Sequence, residues 1–240
     1  MERKLSLVEH LAELRIRIII SLVAFGLSCG LSFPFASLLL KILKNPASGI
    51  IDKLAFFSPQ EAFMIYVNLS LFSGWLISLP VILYQVWAFI SPAIEERQKK
   101  HIGSFIFFSF MAFICGGLFA YFILIPPALK FLMGFARDEL EPVISAQKYI
   151  SFLTSLIWGC GFVFQMPVLS FILTKLKVIH PRALRNKYKY AVVIIFILAA
   201  LITPTTDIFN MLMLAIPMLF LYELSIWVSF FAVPKTKALR

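Results

Sequence analysis

Apolar residues along this chain come in long unbroken runs, unlike the alternation of a half-buried strand or the single stripe of a surface helix. Reading those runs between their charged breaks gives six segments: Ile16–Leu40, Phe63–Ile90, Ile102–Leu124, Ile150–Leu173, Tyr190–Ile202 and Ile208–Val233. All but the fifth exceed the roughly 20 residues that a helix needs to cross about 30 Å of hydrocarbon. In lipid, backbone N–H and C=O groups must be satisfied within the segment. The runs therefore predict helices, and the chain reads as all-α: one polytopic membrane domain with six transmembrane helices. Two connecting stretches, 41–62 and 125–149, are long enough to form caps with short helices, and both are rich in proline. Pro34, Pro80, Pro167 and Pro217 lie inside the spans. Each removes a backbone donor, which predicts kinked helices and a concave wall.

Composition strengthens this picture. Hydrophobic residues make up 61% of the 240 and charged residues only 14%, against roughly 45 to 50% and 25% in ordinary soluble domains. A soluble monomer is excluded. The formal charge of +10 raises nucleic acid as a partner until its distribution is read. Lys and Arg number four in 1–17, three in 91–101, six in 175–189 and three in 234–240, sixteen in all. The remaining six are Lys41, Lys44, Lys53, Lys130, Arg137 and Lys148. By the positive-inside rule this asymmetry predicts both termini in the cytoplasm, and membrane insertion with anionic lipid accounts for the charge without nucleic acid. The charged start, Glu2-Arg3-Lys4, leads into the first span without a small-residue cleavage site, so that span is expected to be retained.

The inventory of reactive groups argues against catalysis. Cys29, Cys115 and Cys160 lie in apolar runs without CxxC or Cys/His spacing, and His10, His101 and His180 all fall at the expected cytoplasmic boundaries. Neither HExxH nor a GxSxG elbow nor a Walker glycine loop occurs, so no enzyme activity, metal or cofactor is expected.

Binding has better candidates. In Glu9-His10-Leu11-Ala12-Glu13-Leu14-Arg15-Ile16-Arg17, helical spacing puts Glu9, Glu13 and Arg17 on one face, either as an interfacial amphipathic start with a Glu13–Arg17 pair or as a ligand site. Phe89 ends the second span with Glu95 and Glu96 beyond it, either a solvated loop or part of the same site. Gln165 is the most deeply placed polar residue; it serves local backbone near Pro167 or faces a cavity. The fifth span, Tyr190–Ile202, is about 20 Å long, which predicts local thinning, and the fifth and sixth spans together are expected to form a lateral docking edge for a partner helix. Reflection about the turn at 203–207 places Glu223 near Lys187 and Lys189, as a structural ion pair or a functional carboxylate.

Four stretches together, His-Leu-Ala-Glu-Leu-Arg-Ile-Arg at 10–17, Leu-Pro-Val-Ile-Leu-Tyr-Gln-Val-Trp-Ala-Phe-Ile-Ser-Pro-Ala at 79–93, Phe-Gln-Met-Pro-Val at 164–168 and Leu-Ile-Thr-Pro at 201–204, resemble the TatC family. This is the core subunit of the twin-arginine protein translocase. The resemblance runs from about residue 8 to 231 and implies a six-span subunit of the cytoplasmic (inner) membrane, oligomeric in its complex. It implies recognition of twin-arginine signal peptides of folded proteins, with the single-span subunits TatA and TatB as partners and the proton-motive force as driver. On this reading Glu13 and Glu96 match the family's signal-peptide glutamates, with Glu95 a rival to Glu96, and Phe89 matches its aromatic. The family ordinarily carries glutamate where this chain has Gln165, a neutral amide that cannot change protonation. Without the resemblance, a proton-coupled small-solute transporter or a membrane assembly scaffold would fit the same topology.

Overall fold

The structure is a computed structural model that describes residues 7–51, 54–90, 102–134, 143–203 and 207–232. Five helical stretches are long and apolar enough to cross a membrane: Glu9–Ala47, Pro59–Phe89, Gly103–Gly134, Ala146–Lys175 and Ile208–Ala232. A shorter apolar helix covers Tyr188–Ile202. The molecule is a helical polytopic membrane protein. Contacts divide it into two compact units, Met1–Leu43 with Phe56–Phe110 and Lys44–Ala55 with Met111–Arg240.

In the first unit, α1 (Leu7–Ser32) passes through a 3-10 turn at Phe33–Phe35 into α2 (Ala36–Lys44), and α3 (Pro59–Ile90) packs along α1. The first helical stretch thus extends at both ends beyond the expected 16–40. Pro34 sits in the 3-10 turn, where its missing donor interrupts the α-helix. Pro80 lies within the continuous α3. The start of α3 is closed by a reciprocal cap: Glu61 N–H donates to Ser58 Oγ at 3.2 Å, while Glu61 Oε2 accepts from Phe57 N–H at 2.8 Å.

The packing of this unit inverts the soluble pattern. Ser28, Ser32, Ser70, Ser73 and Ser78 are buried, whereas Leu27, Leu31 and Ile77 are exposed. Between lipid-facing helices there is no hydrophobic drive to associate, so small residues that permit close approach form the seam. Their hydroxyls bond back into their own helices, Ser70 to Tyr66 O and Ser73 to Leu69 O, both at 2.8 Å. At the tightest point a Cβ on Gly74 would lie 2.7 Å from the backbone N of Cys29.

The second unit contains the later part of α4 (Ile102–Phe119), a π turn at Ala120–Leu124, and α5 (Ile125–Gly134). The sequence pattern ends the third span at Leu124 and begins a cap there. A short helix, α5, follows the span directly, with Pro126 and Pro127 in its first turn, where prolines need no donor. Short strands β1 (Leu54–Ala55) and β2 (Ile144–Ser145) pair in parallel, tying the two connecting stretches together. The paired residues lie ninety positions apart in an otherwise helical chain.

Ser145 caps α6 (Ala146–Val163) by accepting from Lys148 N–H at 3.2 Å. Two turn residues separate α6 from α7 (Met166–Lys175), with Pro167 in the first turn of α7. Then α8 (Pro181–Asn186), α9 (Tyr188–Ile202) and α10 (Ile208–Ala232) follow. Pro217 lies inside α10. Asp207 caps α10, accepting from Asn210 N–H at 2.7 Å and from its side-chain amide at 2.8 Å. With 15 residues, α9 is about 22 Å long and still short of the hydrocarbon thickness.

Close approach makes a sharp prediction. Gly74→Ala should destabilise the protein in detergent by about 1 to 3 kcal/mol, because its Cβ meets backbone that cannot move aside. Gly103→Ala, which meets nothing within 4 Å, should leave the melting temperature no lower. Equal melting temperatures for both variants would contradict the seam.

Candidate functional site

The first unit brings together three of the residues singled out from sequence. Arg17, one turn after Glu13 on α1, donates Nε–H to Glu13 Oε1 at 3.0 Å and Nη2–H to the same oxygen at 2.5 Å. Its Nη1–H reaches across to α3 and donates to Gln85 Oε1 at 3.2 Å. The Arg17 and Glu13 side chains are 24% and 25% exposed, and Gln85 is buried. A charged pair so withdrawn from water depends on its hydrogen bonds, since either charge alone would be strongly penalised there.

One turn beyond Gln85, Phe89 stacks on His10 with ring centroids 4.3 Å apart and planes 15° from parallel. Between these polar groups and the interior lies a cavity of about 280 Å³ between α1 and α3, walled by Leu22, Phe25, Trp75, Ile82 and Val86. Phe25 and Trp75 meet edge to face at 5.8 Å. The cavity is apolar except for Arg17, Ser21 and Gln85, and Arg17 carries the half-engaged Glu13 carboxylate beside it. The arrangement sets a paired carboxylate next to an apolar wall.

Gln85 was not singled out from sequence. The signal was present: a lone amide in an apolar helix, one turn before Phe89. Its partner, however, is 68 residues away. Glu95 and Glu96 lie outside the described residues.

The other two candidates belong to the second unit. Gln165 is half-buried at the α6–α7 junction, where its N–H donates to Phe162 O at 3.0 Å and its C=O accepts from Leu169 N–H at 2.8 Å. Glu223 pairs with Arg185 at 3.9 Å and accepts from Trp227 Nε1–H at 3.2 Å. Its cationic partner is therefore Arg185, not the expected Lys187 or Lys189. The break between α8 and α9 at Lys187 displaces the simple reflection about the turn. With Arg185 63% and Glu223 39% exposed, this is a boundary ion pair of small energetic weight. Tyr222 reinforces the same corner by donating to Leu184 O at 2.8 Å.

The family model for the Sec-independent protein translocase protein TatC matches residues 9–217. The chain belongs to the TatC family. It is 41% identical to the Sec-independent protein translocase protein TatC of Aquifex aeolicus, over 98% of both chains. Its identity to the TatC of Carboxydothermus hydrogenoformans is 36%, over 98% of this chain and 96% of the relative. A crystal structure of the twin arginine translocase receptor TatC superposes with a TM-score of 0.84 at 41% identity, covering 93% of this chain and 99% of that one. This TatC chain is a subunit of the twin-arginine translocase, and its family is one of transport proteins.

Gln165 generates a prediction. A glutamate there would gain about 0.3 to 1 kcal/mol from the start of α7 but lose about 2.5 to 3.5 kcal/mol by placing charge at lipid depth. Gln165→Glu should therefore melt at a lower temperature in detergent at pH 8. Unchanged melting would contradict the burial argument.

Proposed function

We propose that this subunit is the receptor for twin-arginine signal peptides of folded export substrates, with Glu13 and Glu96 engaging the arginine pair and Phe89 shaping the site. The observation that carries this reading is the Glu13 carboxylate held by Arg17, which itself lines the apolar α1–α3 cavity, with Oε2 left without a protein donor among the described residues. Guanidinium groups meet carboxylates through forked, charge-assisted hydrogen bonds, whereas ammonium groups lose that geometry. The apolar segment of the peptide then continues along the α1–α3 cavity. The cytoplasmic face as a whole carries an excess of Lys and Arg and would repel a basic peptide, so recognition needs local acids.

On this reading the protein is a multi-pass component of the cytoplasmic membrane with both termini in the cytoplasm, oligomeric in its complex and driven by the proton-motive force. TatA and TatB are its partners, and the short α9 offers them a lateral edge where a thinned bilayer accommodates a short hydrophobic helix. Glu223, at an exposed ion pair, takes a structural role.

Binding of a synthetic twin-arginine signal peptide to the protein in nanodiscs tests the receptor reading. Replacing Arg-Arg by Lys-Lys, or introducing Glu13→Ala or Glu96→Ala, should each weaken binding by about tenfold to a hundredfold, the range expected for a hydrogen bond to a charged group. Equal binding of both peptides by all three proteins would overturn it. Crosslinks from partner helices should concentrate at 190–216; consistent avoidance of that stretch would remove the docking edge.

A further inference from the structure

Arg17 is itself an arginine seated on the carboxylate proposed to receive the substrate's arginine. Both of its contacts fall on Glu13 Oε1, at 3.0 and 2.5 Å, and its third goes to Gln85 at 3.2 Å. A forked guanidinium–carboxylate pair uses both carboxylate oxygens. While Arg17 holds Oε1, a peptide arginine can reach only Oε2, and beside a second guanidinium. We infer that Arg17 is a tethered competitor for Glu13, parked there by Gln85, and that signal-peptide binding proceeds by exchange at this carboxylate. The inference rests on the receptor reading of Glu13.

The chemistry of the parking residue matters. Gln85 is buried on α3 and neutral, so it orients Arg17 without neutralising it. Released from Glu13, Arg17 keeps a hydrogen-bond acceptor and does not become a bare buried cation. The exchange of one guanidinium for another on Glu13 is nearly balanced. Net affinity must then come from contacts that Arg17 cannot supply: the peptide's second arginine on another carboxylate, and its apolar segment in the cavity. A single arginine would leave the internal pair in place, which supplies a physical reason for requiring two. A receptor whose competent form is only part of the population binds more weakly by that fraction.

The test is peptide binding to the full chain in nanodiscs, using Arg-Arg, Arg-Lys and Lys-Lys forms of one synthetic signal peptide. Arg17→Gln should bind the Arg-Arg peptide about threefold to tenfold tighter than the unsubstituted protein and should narrow the gap to the Arg-Lys peptide, because the competitor is gone. Gln85→Leu and Arg17→Lys should move affinity in the same direction by smaller factors, and either serves if Arg17→Gln fails to fold. All these gains should vanish in a Glu13→Gln background. If Glu13→Gln weakens binding but Arg17→Gln weakens it too or leaves it unchanged, Arg17 supports the carboxylate and the competitor is overturned. If Glu13→Gln has no effect, the receptor reading of Glu13 fails and this inference falls with it.

Discussion

The first unit of this molecule depends on how closely α1 and α3 can approach. In lipid, two apolar helices gain nothing from the hydrophobic effect by meeting, so contact rests on packing and hydrogen bonding. Gly74 admits the backbone of Cys29, and buried serines on both helices keep the seam narrow. That proximity allows Gln85, on one helix, to hold Arg17, on the other. Arg17 in turn stabilises a carboxylate that is three-quarters buried. Separate the helices by the width of a side chain and Arg17 loses its third contact, Glu13 loses its fixed direction, and the cavity opens.

The same seam explains why a charged pair and an apolar cavity lie side by side here. A carboxylate at the edge of the hydrocarbon is costly unless paired, and pairing it with a residue of the same helix, one turn away, meets that need locally. The pair satisfies Glu13 electrostatically while leaving one oxygen for an incoming donor. Below it the wall turns apolar within a few residues, from Arg17 to Leu22 and Phe25. The Arg185–Glu223 pair of the second unit is more exposed.

Much of this was legible in the sequence because the bilayer imposes a simple rule on it. Long apolar runs, a short fifth span and the Glu13–Arg17 spacing are local properties, and the described helices carry them. Features that depend on partners distant in the chain were not legible: the Arg17–Gln85 bond, the β1–β2 pairing and the Gly74 approach. Pro126 and Pro127 read as the start of a cap because proline usually stops a helix, yet a π turn resets the helix so that they fall in a first turn. Glu223 pairs with Arg185 rather than with Lys187 or Lys189, because reflection about a turn assumes that the helix beyond it is unbroken.

Where the arginine pair comes to rest is the most direct check on this account. A twin-arginine signal peptide carrying a photoreactive residue beside the pair, crosslinked to the protein in nanodiscs and mapped by mass spectrometry, should label residues 9–18 and 82–97. Labelling confined to 146–175 or 188–216 would contradict it, and would move recognition away from the seam between the first two spans.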